Sequence, residues 1–287
     1  AAEAGVKAGD IILSVGGKEM VRGDMKPQEF SSKVSEALRG EPGTSFVLKV
    51  LRPLKNDSTV MEFKITRKNI RTNPVPYYGM VKDSIGYLAL SSFTENSAKD
   101  FKKAFIELKQ KGAKSLIIDL RDNGGGSLSE AVDIVNLYVP KGQEIVVTKG
   151  KVRQAQGSYK TQNEPVDTQI PLAVLVNGAT ASASEIVSGS LQDLDRAVVI
   201  GSRTFGKGLV QTIRPLPYNG TLKVTTSKYY IPSGRCIQAI DYAKKNADGS
   251  VARTPDSLTT VFHTAAGREV RDGGGIRPDI EVKGDKI

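Results

Sequence analysis

Leu172-Ala173-Val174-Leu175-Val176-Asn177-Gly178-Ala179-Thr180-Ala181-Ser182-Ala183-Ser184-Glu185 opens with five unbroken apolar residues. Such a run is too short for a helix and does not alternate, so it reads as a strand covered on both faces. Asn177-Gly178 is a turn signal, small residues follow it, and residues 183–193 continue as a helical run. A buried strand that turns directly into a helix is the unit from which parallel sheets are built.

The surrounding sequence repeats this order. Upstream, Ile85-Gly86-Tyr87-Leu88-Ala89-Leu90 reads as a strand, and residues 97–110 place Phe101, Ala104, Phe105 and Leu108 on one helical face. Ser115-Leu116-Ile117-Ile118-Asp119-Leu120 is a short apolar strand. It leads through Asn123-Gly124-Gly125-Gly126 to a second amphipathic helix carrying Leu128, Ala131, Val132, Val135 and Val139. Downstream, Ala197-Val198-Val199-Ile200 is again a strand. Alternating strands and helices predict an α/β domain with a largely parallel sheet, whose functional loops gather at the carboxyl ends of the strands. Leu120 and Val176 end two such strands.

Residues 1–68 read differently. A turn enters the strand-like run Ile11-Ile12-Leu13-Ser14-Val15, and Phe30, Val34, Ala37 and Leu38 recur at helical spacing before Gly40. Residues 44–52 and 60–66 are strand-like, joined through the polar segment Lys55-Asn56-Asp57-Ser58. Residues 69–84 hold Pro74 and Pro76 and are expected to be a linker, with the larger domain occupying residues 85–287. Residues 149–168 read as a polar surface excursion, residues 211–230 as strand-rich, and residues 241–256 as a polar loop.

A chain of 287 residues, 39% hydrophobic, has enough apolar surface for one large domain and a smaller one. Its single cysteine, Cys236, rules out a disulfide-stapled miniature. The formal charge of +10 could attract nucleic acid, but basic residues are interspersed with acidic ones and there is no tryptophan. Charge of this kind indicates nonspecific attraction only, and no nucleic-acid role is expected. No stretch has the apolar length of a membrane span, and residues 1–10 lack the pattern of a signal peptide.

The chemistry centres on Ser182. Small neighbours leave its hydroxyl open to a carbonyl, and the N–H groups of a first helical turn have no partner within the helix. The Ala183 N–H can therefore face the oxyanion of a tetrahedral intermediate, a contribution of roughly 3 to 4 kcal/mol per donor. A second donor is expected from the Gly124-Gly125-Gly126 turn, where missing Cβ atoms allow close approach. A serine needs a base. The only histidine, His263, has no acid near it in sequence. Lys207, in Ser202-Arg203-Thr204-Phe205-Gly206-Lys207-Gly208, follows the apolar strand 197–200 in a position suited to partial burial. A lysine held among apolar groups gives up its proton more readily, as a general base requires.

Each residue also has a plainer reading: Ser182 and Ser184 as helix caps, Lys207 as a solvated loop lysine, the glycines as turn residues. Gly201-Ser202-Arg203-Thr204-Phe205-Gly206-Lys207-Gly208 also approximates a phosphate-binding loop, but Gly208 stands where Ser or Thr would hold magnesium. The residues that follow read as strand, whereas that motif requires a helix.

Three stretches, residues 118–126, 180–185 and 204–211, together resemble the carboxyl-terminal processing peptidases, or tail-specific proteases. The resemblance implies Ser182 as nucleophile, Lys207, 25 residues later, as base, and Gln211 as the residue that orients the lysine. It implies a crotonase-like α/β core and a need for neither metal nor nucleotide. Tyr229-Tyr230-Ile231-Pro232-Ser233-Gly234-Arg235 and Gly274-Gly275-Ile276-Arg277-Pro278-Asp279 are similar to the family's late segments.

Residues 4–12 and 38–44 resemble the later part of a PDZ domain, a module that docks a free carboxyl terminus and adds its chain to a sheet edge. Its first strand and carboxylate-binding loop are expected before Ala1. Implied partners are protein or peptide carboxyl termini, with room left for an activating partner and for a homo-oligomer. The implied location is the bacterial periplasm or cell envelope. The polar insert with Asp248-Gly249-Ser250 looks more bacterial than plant. Two rival readings remain open: a PDZ-bearing binding protein with an inactive peptidase domain, and an acyl-transfer enzyme acting on coenzyme A thioesters.

Overall fold

The computed structural model describes residues 1–55, 57–70, 72–245, 248 and 251–282. Asn56 of the first polar segment and Gly249 and Ser250 of the second lie outside the described residues. The chain divides into two compact units, Ala1–Thr72 and Asn73–Ile287.

In the first unit, β1 (Ile11–Val15), β2 (Lys18–Glu19), β3 (Ser45–Pro53) and β4 (Ser58–Thr66) form an antiparallel sheet in the order β2-β1-β3-β4. Helix α1 (Pro27–Leu38) begins with proline at its first turn, where the fixed φ favours helix and the missing N–H leaves no bond unmade. Phe30, Val34, Ala37 and Leu38 pack on a core of Val15, Met20, Leu48 and Val50, as their spacing predicts. Arg52 grips Asp10 through two bonds of 2.7 Å. These bonds hold the Asp10 carboxyl down at about 2.

The second unit is built on a six-stranded sheet in the order β18-β11-β10-β7-β6-β5. Its strands are β5 (Tyr77–Lys82), β6 (Ile85–Ala89), β7 (Ser115–Asp119), β10 (Leu172–Val176), β11 (Val198–Gly201) and β18 (Ile280–Glu281). All pairs are parallel except β5 with β6. Helices α2 (Ser97–Gln110), α3 (Leu128–Val135) and α4 (Ala183–Asp193) connect successive parallel strands, and α3 packs against both others. Phe101, Ala104, Phe105 and Leu108 of α2 are buried, as read from their spacing.

Four segments differ from the reading of the sequence. Residues 77–82, expected within a linker, form the edge strand β5; an edge strand with an exposed face carries little apolar pattern. Helix α3 stops at Val135 and does not reach Val139. There the buried Asn136 donates its amide to the Asn163 carbonyl and accepts the N–H groups of Gln162 and Asn163. The polar excursion contains the end of β8 (Glu144–Gly150) and β9 (Gly157–Lys160). These pair with β12 (Leu209–Pro215) and β13 (Thr221–Tyr230) in an antiparallel sheet ordered β12-β13-β8-β9. The late polar loop holds the ribbon β14 (Ile240–Lys245) and β15 (Val251–Arg253), followed by a second ribbon, β16 (Val261–His263) and β17 (Glu269–Arg271).

Helix α4 is buried along its whole length, polar residues included. That is tolerated because buried polar groups find partners: Ser188 bonds the Ser184 carbonyl, and Gln192 reaches the Arg277 carbonyl and Asp279. Asp193 pairs at 2.7 Å with the equally buried Arg235.

Strands β7, β10 and β11 lie side by side and point the same way, so the loops after Leu120, Val176 and Gly201 leave one edge of the sheet together. At Gly201 (φ 135°) a Cβ would stand 1.9 Å from the Val176 carbonyl oxygen. Gly201→Ala is therefore expected to destabilise the chain by about 3 kcal/mol, read as a lowered thermal unfolding midpoint; an unchanged midpoint would remove the steric argument.

Candidate active site

The three loops are stitched to one another. Thr180 donates its hydroxyl to the Leu120 carbonyl at 2.8 Å and accepts the Asn177 N–H. Asn177 and Asp122 exchange a pair of bonds, Asp122 N–H to Asn177 Oδ1 and Asn177 Nδ2 to Asp122 Oδ1. The Asn123 carbonyl accepts both the Ala181 N–H and the Ser184 hydroxyl. Thr180 and Ser184 are thus fully buried with their hydroxyls engaged. Ser182 lies between them, half-buried, at φ 57° and ψ −116°. A non-glycine residue with positive φ outside the left-handed helical well is strained, and such strain collects at functional sites.

Glu185 explains how that conformation is held. Its carboxylate is fully buried and, among the described residues, forms no ion pair. It accepts four hydrogen bonds instead: Oε2 takes the Ser182 N–H at 2.8 Å and the Lys207 N–H at 2.9 Å. Oε1 takes the Thr204 hydroxyl at 2.5 Å and the Gly206 N–H at 2.7 Å. One oxygen therefore gathers the main chains of Ser182 and Lys207. Burial pushes this carboxyl up, the four donors pull it back, and the balance stays above the ordinary glutamate value. On the carbonyl side, the Tyr229 hydroxyl lies 2.5 Å from the Lys207 oxygen and 3.2 Å from the Ser182 oxygen.

The glycine turn presses on the same spot. At Gly125 (φ 97°) a Cβ would sit 2.8 Å from Ser182 Cβ and 2.8 Å from the Ala183 nitrogen. The Gly125 N–H donates to Asn123 Oδ1 at 2.9 Å, whereas the N–H groups of Gly124 and Ala183 have no hydrogen-bond partner among the described residues. Asn123 itself is fully buried and ties its amide to the Leu90 carbonyl.

A half-buried serine in a strained strand-to-helix turn, beside free N–H groups and a lysine-bearing loop, is arranged for acyl chemistry. Residues 84–245, more than half of the chain, match peptidase family S41. The chain belongs to that family. Residues 1–52 match the PDZ domain.

Among the relatives of this S41 chain, a carboxy-terminal-processing protease of Bartonella bacilliformis is 39% identical over 244 residues, 84% of this chain and 54% of that protein. A chloroplastic C-terminal processing peptidase of Tetradesmus obliquus is 32% identical over 272 residues, 91% of this chain and 56% of that protein. The chain thus spans about half the length of these curated relatives. A solved photosystem II D1 C-terminal processing protease aligns with a TM-score of 0.56 at 27% identity, over 98% of this chain and 65% of that one.

Not every residue expected at the S41 site is joined to the others. Lys207 is half-buried, and its amine makes neither a hydrogen bond nor an ion pair among the described residues, so no bond links it to Ser182. Catalytic hydrogen bonds are often long without substrate and close only when it binds. Gln211 is exposed and makes no hydrogen bond to Lys207. It follows a bulge at Val210/Gln211 and lines a groove with Leu209, Thr225, Lys228, Gln238 and Tyr242. His263 sits exposed in the β16–β17 ribbon, opposite Glu269.

The phosphate-loop lookalike leads into strand β12 and not a helix. The N–H groups of Gly206 and Lys207 go to Glu185 and that of Gly208 to Gln238, so these donors are not turned toward a phosphate. Glu185, Asn123 and Tyr229 carry the scaffolding and had no assigned role in the sequence. A detectable signal existed for Glu185, which stands three residues after a serine at a helix start, the capping-box spacing.

Proposed function

We propose that this chain is the PDZ-bearing peptidase part of an exported serine endopeptidase that cleaves proteins near their carboxyl termini, with Ser182 as nucleophile and Lys207 as general base. The observation that carries the reading is the shared Glu185 oxygen: a buried carboxylate, without an ion pair among the described residues, draws together the main chains of the two residues that must exchange a proton. The engagement of Thr180 and Ser184 leaves Ser182 as the available hydroxyl of its turn.

In this mechanism neutral Lys207 takes the Ser182 proton as the hydroxyl attacks the scissile carbonyl, and the oxyanion forms against the Ala183 and Gly124 N–H groups. Gly125 joins them only if its N–H leaves Asn123. The lysine then donates its proton to the departing amine. A water, deprotonated by the same lysine, releases the acyl group and restores Ser182. Gln211 acts on Lys207 once the loop closes around substrate. The PDZ unit recruits the substrate's carboxyl terminus, and the core is of the crotonase-like kind. The activity is read as exported, to the bacterial periplasm or envelope, where an activating partner or self-assembly would regulate it.

Trapping with a fluorophosphonate and mapping the modified peptide tests the nucleophile. Label is expected on Ser182 and is expected to vanish in Ser182→Ala but persist in Ser184→Ala. Label at another residue would force a different assignment.

A further inference from the structure

We propose that the buried phenol of Tyr229 is a positioning residue for catalysis, holding nucleophile and base in register through their carbonyl groups; this rests on the Ser182–Lys207 reading above. Tyr229 belongs to β13, in the antiparallel sheet, and not to the elements that carry the two loops. Its main-chain N–H bonds the Gly208 carbonyl at 3.0 Å, which fixes the strand beside the base. Its hydroxyl then enters between the two loops, 2.5 Å from the Lys207 oxygen and 3.2 Å from the Ser182 oxygen.

The two acceptors are not equivalent. The Ser182 carbonyl also receives the Glu185 and Ile186 N–H groups of the helix start. The Lys207 carbonyl has the phenol as its only hydrogen-bond donor among the described residues. Without that bond the half-buried Lys207 loses the one donor to its carbonyl among the described residues, at the residue whose side chain must find Ser182. Lys207 would stay tied through its N–H to Glu185 and be free to rotate at its carbonyl.

Burial, aided by the nearby Glu185 charge, keeps the phenol far above its ordinary range, so it remains protonated and acts as a donor and not as an acid or base. The ring is 1% exposed and belongs to the core cluster. Removing the hydroxyl alone therefore preserves the packing.

The test compares Tyr229→Phe with Tyr138→Phe in the full chain. Tyr138 is a second fully buried tyrosine, and its hydroxyl has no hydrogen-bond partner among the described residues. For Tyr229→Phe we expect kcat to fall at least tenfold with KM within twofold of wild type, and fluorophosphonate labelling of Ser182 to slow by the same factor. Tyr138→Phe should change neither. Replacing Tyr229 by 4-aminophenylalanine, which returns a weaker donor to the same place, should recover part of the loss, and it serves as the reporting variant if Tyr229→Phe does not fold. Wild-type kcat and labelling in Tyr229→Phe, or full wild-type kcat with the weaker donor where the phenylalanine does not fold, overturns the proposal. Wild-type labelling at a residue other than Ser182 sinks the dyad reading, whereas Ser182 labelling indifferent to the phenol sinks this inference alone.

Discussion

Lys207→Ala is expected to lower kcat/KM by about 10³-fold or more while leaving the thermal midpoint within a few degrees of wild type. General bases contribute roughly 10² to 10⁴ in rate, and residues that act as a unit lose most of their joint effect when either is removed. The fold should tolerate the change because the Lys207 amine makes no hydrogen bond or ion pair among the described residues. The main-chain bonds of residue 207 to Glu185 and Tyr229 remain available to alanine. Peptide hydrolysis and calorimetry on the same preparation decide the matter. A well-folded Lys207→Ala chain that still cleaves at the wild-type rate would end the general-base assignment.

Glu185→Gln should be costly in both activity and stability, although it changes a single atom type. The carboxylate accepts on both oxygens, and an amide accepts on one. If the amide nitrogen takes the place of Oε2, the N–H groups of Ser182 and Lys207 face another donor. If it takes the place of Oε1, the Gly206 N–H does so, while Thr204 must turn its hydroxyl around. Either way at least one buried N–H loses its acceptor, a cost of about 2 to 3 kcal/mol, and the Ser182–Lys207 geometry is disturbed. We expect a lowered midpoint and a loss of kcat/KM of about 100-fold; a variant as active and as stable as wild type would refute the clamp.

The same residue predicts a pH effect with a definite sign. Burial holds the folded-state pKa of Glu185 above the ordinary glutamate value of 4.5, so at pH values between the two the folded chain binds a proton that the unfolded chain does not. Stability from this group is fully present below about 4.5 and is lost as pH rises through the folded-state value. Glu185→Gln should therefore flatten the part of the midpoint-versus-pH curve that declines with rising pH in this window. An identical slope in both proteins would exclude Glu185 as its source.

The parts of the fold legible in the sequence were those with period or unbroken apolarity. The face of α2 with Phe101, Phe105 and Leu108, the strand Leu172–Val176 and the helix after it carry that signal because one whole side must be buried. Strand β5 was hidden because its edge position asks little of its outward residues. The β14–β15 ribbon was hidden because pairing satisfies backbone groups whatever the side chains.

The site divides in the same way. Ser182, Lys207 and the glycine turn belong to local patterns, each complete within a few residues. Glu185 binds across 22 residues to Lys207, and Tyr229 across 47 to Ser182. Such contacts follow from topology and leave little local trace.

One consequence of the Glu185 and Tyr229 contacts concerns the use of this chain as a reagent. The Glu185 carboxylate and the Tyr229 hydroxyl bond peptide groups of Ser182 and Lys207, so holding and reacting are separable. If Ser182 is the nucleophile proposed above, a chain whose hydroxyl at position 182 has been deleted should keep the shape of the site and retain a bound polypeptide that it can no longer cut. Immobilised, such a chain would serve as bait from which any polypeptides it retains are recovered and sequenced.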